Sequence, residues 1–249
     1  MNLEPWVPHG RSLMDYFNGD RSATIVLHSD LGEREELPVA AWFREPADAG
    51  PERAALDLCR GRVLDVGAGT GLHALELQAR GLEVCAIDVV PEAVEIMRRR
   101  GVKDARQADV FGFAGGLFDT VLVYANGAGL AETLAGLPAL IAALDRLVGR
   151  GGQILLDSTD LRPEDPEAAG LVRDAAGLWR RQDGRYLGDI QFQIEYRGAK
   201  APPFPQLYVD PDAMAEVAAA GGWTCEVVKR GAGGSYLARL TRREPGAAG

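Results

Sequence analysis

The chain is predicted to fold as an α/β, doubly wound domain: a mostly parallel sheet of seven strands with helices on both faces, joined by a small antiparallel β cap. Three observations predict it. From residue 62 onward, short apolar runs alternate with helix-period stretches, the pattern of strand-helix-strand crossovers. Residues 63–71 read Val-Leu-Asp-Val-Gly-Ala-Gly-Thr-Gly, a β-branched run that leaves through a turn nearly free of side chains. The next two apolar runs end on acids, Asp88 and Asp109.

Taken in order, Arg11 to Phe17 predicts a helix, and 23–43 a hairpin of strand Ala23–Leu27, polar turn Ser29–Glu35 and second run Leu37–Phe43. Core strands are expected at 62–66, 83–87, 104–107, 118–123 and 152–157, with helices at 71–80, 91–100 and 136–148. Gly149, Gly151 and Gly152 are expected to stop the last of these. Residues 185–197 alternate, Ile190, Phe192, Ile194 and Tyr196 on one face and Gln191, Gln193 and Glu195 on the other. A helix at 211–221 and strands at 223–229 and 235–241 complete the sheet, and Trp42 and Trp223 read as core.

The glycine spacing selects the ligand. A dinucleotide fingerprint, G-x-G-x-x-G, seats a pyrophosphate on the helix terminus. Here the third glycine comes one residue early, at Gly71, and Leu72 holds the place it would occupy. Asp88 ends the second strand, where a carboxylate accepts two hydrogen bonds from a ribose diol. It lies 88 − 67 = 21 positions after Gly67, matching the acid found about 20 residues on.

The stretch Leu64-Asp65-Val66-Gly67-Ala68-Gly69-Thr70-Gly71 resembles the first motif, E/D-x-G-x-G-x-G, of the class I S-adenosylmethionine-dependent methyltransferases. Gln107-Ala108-Asp109-Val110 resembles their third motif, and 118–126 their fourth strand and its exit loop. The resemblance covers residues 55–160 and 208–242. It implies a Rossmann-like sheet that binds S-adenosyl-L-methionine and releases S-adenosyl-L-homocysteine. Implied cofactor residues are Tyr16, Asp65, Gly67, Ala68, Gly69, Gly71, Asp88, Val89, Asp109, Val110 and Asn126. Asp65 links to the amino-acid end, Asp109 accepts from the adenine amino group, and Val110 packs on the ring. Each residue also fits structural work: the glycines a tight connection, Asp88 or Thr70 a helix cap, Asp109 and Asn126 a turn.

The division expected is an N-terminal helix and hairpin cap element over 1–50, a cofactor-binding core over 51–160, an inserted cap and substrate segment over 161–207, the rest of the core sheet over 208–243 and a tail over 244–249. An isolated hairpin is marginal in water, so the extra strands are expected to pair as a cap over the cofactor pocket. Tyr124, Trp179, Tyr186, Tyr196 and Tyr208 are candidates for an aromatic acceptor pocket, with packing as their alternative. His9, Tyr16 and Asn126 are the candidates for a catalytic role. His73 fits packing or proton transfer, and His28 belongs to the hairpin.

A net charge of −9 does not suit a protein that grips nucleic acid, and Arg98-Arg99-Arg100 falls where cations complement a helix C-terminus. Cys59, Cys85 and Cys225 have neither disulfide nor metal spacing, and no apolar run reaches the roughly 18 residues of a membrane span. A cytoplasmic enzyme acting on a small molecule is expected, with no metal and no membrane partner. The alternatives are an NAD(P)-dependent oxidoreductase, for which the late glycine and a Tyr-x-x-x-Lys proton donor are missing, and a non-catalytic adenosyl-ligand-binding protein. The acceptor atom, oxygen, nitrogen, carbon or sulfur, and the oligomeric state stay open.

Overall fold

A computed structural model describes residues 2–47 and 50–243; the expected tail, 244–249, lies outside them. In chain order the elements are α1 (Val7–Phe17), β1 (Thr24–Ser29), β2 (Arg34–Pro38), α2 (Pro51–Leu58), β3 (Arg62–Val66), α3 (Leu72–Ala79), β4 (Glu83–Asp88), α4 (Pro91–Arg100), β5 (Ala105–Gln107), β6 (Phe118–Val123), α5 (Leu137–Asp145), β7 (Val148–Thr159), β8 (Val172–Arg173), β9 (Trp179–Arg180), β10 (Asp189–Tyr196), β11 (Ala199–Lys200), β12 (Phe204–Leu207), α6 (Pro211–Ala220), β13 (Trp223–Arg230) and β14 (Ser235–Arg242).

The main sheet has seven strands in the order β13-β14-β7-β6-β3-β4-β5. From β7 to β5 all neighbours run parallel, and β14 and β13 close the other edge antiparallel. Both faces are covered, as a parallel sheet requires. Ala55, Leu56, Ala74, Leu77, Val94 and Met97, from α2, α3 and α4, pack on Val63, Leu122 and Leu155. Leu137, Leu140, Ile141, Ala213 and Met214, from α5 and α6, pack with Leu64, Val121 and Val123 on the opposite face. The chain leaves β3 for β4 on one side and returns on the other side as β6. That reversal opens a crevice at the strands' carboxyl ends, where open α/β sheets bind ligands.

A second sheet, β11-β10-β1-β2 with β12 also on β10, is antiparallel throughout. The alternation read in 185–197 holds: Ile190, Phe192, Ile194 and Tyr196 are buried. They pack with Leu13 of α1 and with Val90, Ala93 and Ile96 at α4. The cap therefore leans on the helix that starts just after Asp88. Trp223 is core, 1% exposed, as expected, and Trp42 is half-buried.

Two expectations are corrected. The second hairpin strand ends at Pro38, and Val39–Trp42 forms a 3-10 turn instead. The helix before β7 ends at Asp145, so the glycines at 149–152 lie within the strand. Pairing of Phe118 with Val148 extends β7 backward, and the register shift between Phe118 and Thr120 is absorbed there. A Cβ at Gly152 would meet the Phe118 carbonyl oxygen at 3.0 Å, so close strand approach, not helix termination, uses this glycine.

Gly71 joins β3 to α3 at φ +82°, and a Cβ there would meet Val102 Cγ2 at 2.7 Å and Met97 Cγ at 3.0 Å. Gly71→Ala is expected to cost about 2 kcal/mol in chemical unfolding, from left-handed strain and overpacking together. A change within experimental error contradicts this packing.

Candidate functional site

The crevice is built on the turn after β3. Gly67, Gly69 and Gly71 all have positive φ (68°, 56° and 82°), a conformation open to glycine. A Cβ at Gly67 or Gly69 would meet nothing within 4 Å, so beside these two the backbone borders open space. The Gly67 and Ala68 N–H groups both donate to the Ile87 carbonyl, at 2.9 and 3.1 Å, which ties the turn to β4. Thr70 is not a helix cap: Gly71 holds that place. The Thr70 hydroxyl donates to the Trp42 carbonyl and accepts from Arg100 Nη1 at 2.8 Å, fastening the 3-10 turn of 39–42 beside the glycines.

Asp88 is 8% exposed. One carboxylate oxygen accepts from the Gly69 N–H at 2.8 Å and the other from the Val90 N–H at 2.9 Å. It is not the cap of α4, since Val90 occupies that position. A carboxylate has about four acceptor sites, so capacity remains for further donors, and burial pushes the carboxyl above its ordinary value. Val89, next to it, accepts at its carbonyl from Gln107 Nε2 at 3.1 Å. Asp109 stands past the end of β5, half-buried, with one oxygen accepting from the Phe111 N–H at 3.0 Å. Val110 is 5% exposed and packs in the core. The two acids thus follow one another along the edge from β4 to β5.

On the other side of the turn lies a polar group that the sequence marks only in part. Asp65 is 1% exposed, and its Oδ2 has no hydrogen-bond partner. Burial pushes its carboxyl up to about 6. His73, near the start of α3, donates from Nε2 to Glu52 Oε1 at 2.9 Å. Glu52 also takes a two-pronged contact from Arg44, 2.8 Å on each oxygen, and the Ala47 N–H at 2.6 Å. Burial works against it, yet the His73 and Arg44 bonds hold its carboxyl down at about 2. The His73 ring stands edge-on to Tyr124, centroids 5.3 Å apart.

At the exit of β6, Ala125 and Asn126 are left-handed (φ 71° and 59°). Asp157 holds that turn: its oxygens accept the Asn126 and Gly127 N–H groups at 2.9 and 2.7 Å. Burial pushes Asp157 up to about 6. Asn126 Nδ2 is buried without a partner. Sequence reasoning missed Glu52, Arg44 and Asp157. For Asp157 a signal existed: an acid closing the apolar run Ile154-Leu155-Leu156 repeats the pattern of Asp65 in β3.

The remaining candidates separate. His9 stands between Trp6 and Trp42, centroids 6.3 and 5.0 Å away, and burial pushes its imidazole down to about 4. Tyr16 lies on Phe43 at 4.7 Å under the Arg21 guanidinium. Phe43 in turn neighbours Arg100, which reaches Thr70, so Tyr16 borders the glycine turn through one ring. Tyr186 and Tyr196 are 2% and 6% exposed, and their hydroxyls donate to Asp210 and Asp15 at 2.6 and 2.8 Å. Trp179 sits on the β8–β9 ribbon beside α6, with Arg173 over its ring. Tyr124 and Tyr208 stay half-buried, and Asp157 acts on both hydroxyls. His28 pairs with Glu195 at 2.9 Å on the cap.

Residues 64–156 match the family model described as a methyltransferase domain. A solved S-adenosylmethionine-dependent methyltransferase from Bacteroides fragilis, in complex with S-adenosyl-L-homocysteine, is 36% identical and aligns over 97% of both chains with a TM-score of 0.83. The chain belongs to the S-adenosylmethionine-dependent methyltransferases. Among curated relatives, the ubiquinone biosynthesis O-methyltransferase of Xanthomonas oryzae pv. oryzae is 36% identical over 121 residues, 44% of this chain and 48% of that one. This methyltransferase thus spans about half the length of the curated relatives it matches. The CcbJ methyltransferase of Streptomyces caelestis, 15% identical with a TM-score of 0.57 over 82% of this chain and 95% of that one, shares the fold. In this methyltransferase the family match holds the glycine turn, Asp88, Asp109 and the β6 exit, and ends one residue short of Asp157.

Proposed function

We propose that this methyltransferase moves the methyl group of S-adenosyl-L-methionine to a small-molecule acceptor by in-line displacement and releases S-adenosyl-L-homocysteine. The observation that carries the reading is the open space beside Gly67 and Gly69, with Asp88 braced on Gly69 at its side. The residues present fit an adenosyl ligand. Gly67, Ala68, Gly69 and Gly71 supply the close-approach backbone, Asp88 has free lone pairs for a ribose diol, and Asp109 stands one strand further for the base. Asp65 offers an unpartnered carboxylate oxygen to a cationic amino-acid end. The cofactor supplies an activated methyl on a sulfonium. The protein's share is then to hold the acceptor atom about 3–3.5 Å from that carbon, in line with the breaking bond.

The cap is assigned to the acceptor. The cap is drawn from segments 1–50 and 161–207 and the core from 51–160 and 208–243; β12 packs on the 3-10 turn Gly127–Ala131, which also contacts β7, with Tyr124 and Asn126 just before that turn and Tyr208 just after β12. The acid excess, −9, argues against a nucleic-acid substrate, and no described helix is long and apolar enough to cross a membrane. Cys59, Cys85 and Cys225 are free, in keeping with a cytoplasmic place. The test is calorimetry with S-adenosylhomocysteine and NADH, then a methyl-transfer assay on small-molecule extracts. S-adenosylhomocysteine is expected to bind and NADH not to. The opposite result reverses the reading.

A further inference from the structure

We propose that His73 contacts the amino-acid end of the adenosyl ligand, with Glu52 as the positioning residue that sets its ring; this rests on the proposed methyl-transfer function. The sheet order gives the order along the ligand. β5 leads to Asp109, β4 to Asp88, and β3, next in line, carries Asp65 and leads into α3, whose second residue is His73. Each step is one strand spacing, about 4.8 Å. A ligand with its base at β5 and its sugar at β4 therefore brings its sulfur and amino-acid chain over β3.

The chemistry of that spot is specific. Glu52 is 5% exposed and held as a carboxylate by four hydrogen bonds, two from Arg44, one from the Ala47 N–H and one from His73. A carboxylate can only accept, so the His73 ring donates to Glu52 through Nε2 and leaves Nδ1 for another partner. That nitrogen has no hydrogen bond among the described residues, and Tyr124, edge-on at 5.3 Å, fixes the plane of the ring. Asp65, two residues before the glycine turn, has a buried Oδ2 without a partner. Two side-chain atoms without protein partners among the described residues, Asp65 Oδ2 and His73 Nδ1, thus flank the glycine turn in the chain. The part of the ligand with groups for both is its amino-acid end, whose ammonium suits the Asp65 carboxylate while its ammonium and carboxylate together offer the ring nitrogen a donor and an acceptor.

The test compares two ligands by calorimetry: S-adenosylhomocysteine, and 5′-methylthioadenosine, which has the same base, sugar and thioether but no amino-acid end. His73→Ala is expected to weaken S-adenosylhomocysteine about 10-fold or more and to leave methylthioadenosine within about twofold. Glu52→Gln, acting through the ring, is expected to move the ratio of the two affinities in the same direction. Should His73→Ala not fold, His73→Asn is measured with the same pair. Equal weakening of both ligands would mark a structural role and overturn the proposal, as would an unchanged affinity for S-adenosylhomocysteine. If the unmodified protein binds neither ligand, the functional reading falls and this inference with it.

Discussion

Asp88→Asn is expected to raise the dissociation constant of S-adenosylhomocysteine by about 100-fold, equivalent to about 3 kcal/mol. Both oxygens of Asp88 already accept a backbone N–H, at 2.8 Å from Gly69 and 2.9 Å from Val90. An asparagine can accept on one side only, and its amide nitrogen would face the other N–H donor to donor. The variant therefore loses a charge-assisted contact to the sugar and also loosens the turn the ligand lies on. Asp109→Asn separates the two effects. Asp109 accepts a single local bond, from Phe111 at 3.0 Å, so its replacement is expected to weaken binding about 10-fold with an unchanged melting temperature. Both variants act on the contacts proposed for sugar and base, so methylthioadenosine is expected to weaken alongside S-adenosylhomocysteine, unlike the pattern expected for His73. Undiminished affinity in the double variant Asp88→Asn, Asp109→Asn would remove the ligand from this edge altogether.

What was legible in the sequence is what is local. The run from Val63 to Gly71 announces a strand, a left-handed turn and a helix start within nine residues because each step has a residue type that permits little else. Asp88 and Asp109 are legible for the same reason, as acids closing apolar runs. Arg44 and Glu52 are not. Glu52 meets His73, and takes Arg44 on its other side, only when α2 is packed on α3, and nothing in the neighbourhood of Glu52 says that it will be buried. The start of α2 did carry a signal, Gly50-Pro51-Glu52, with proline at the first helical position. Gly149, Gly151 and Gly152 misled because a local helix stop and a distant strand approach both call for glycine, and only the pairing of Phe118 with Val148 decides between them. Tyr196 belongs to the apolar face of its own alternating strand, which already placed it in the cap's interior, where the structure has it 6% exposed.

Asp65→Asn is expected to make the ligand-free protein more stable at pH 8 and poorer at binding S-adenosylhomocysteine. Burial raises the Asp65 carboxyl from its ordinary value to about 6, so the folded chain holds this proton more tightly than the unfolded chain. Stability from this group is then greatest at low pH, falls as pH rises between the unfolded value and about 6, and stays diminished above that. The cost at pH 8 is about two pH units at 1.36 kcal/mol each, or about 3 kcal/mol, and an asparagine of the same shape avoids it. Protein that keeps a 1% exposed carboxylate with one unpartnered oxygen at its glycine turn gives up stability for a charge that a cationic ligand would satisfy. Binding an ammonium requires the ionised form, so wild-type affinity is expected to rise from pH 5 to pH 7, and the Asp65→Asn profile to be flatter. Asp157, pushed to the same range, serves as the contrast: its oxygens hold the Asn126 and Gly127 N–H groups, so Asp157→Asn is expected to lower stability at pH 8. Thermal melts of both variants at pH 5 and pH 8, with calorimetry at the same values, read out the difference. A less stable Asp65→Asn protein at pH 8, with its ligand affinity intact, would show that Asp65 is held for the fold and not for the ligand.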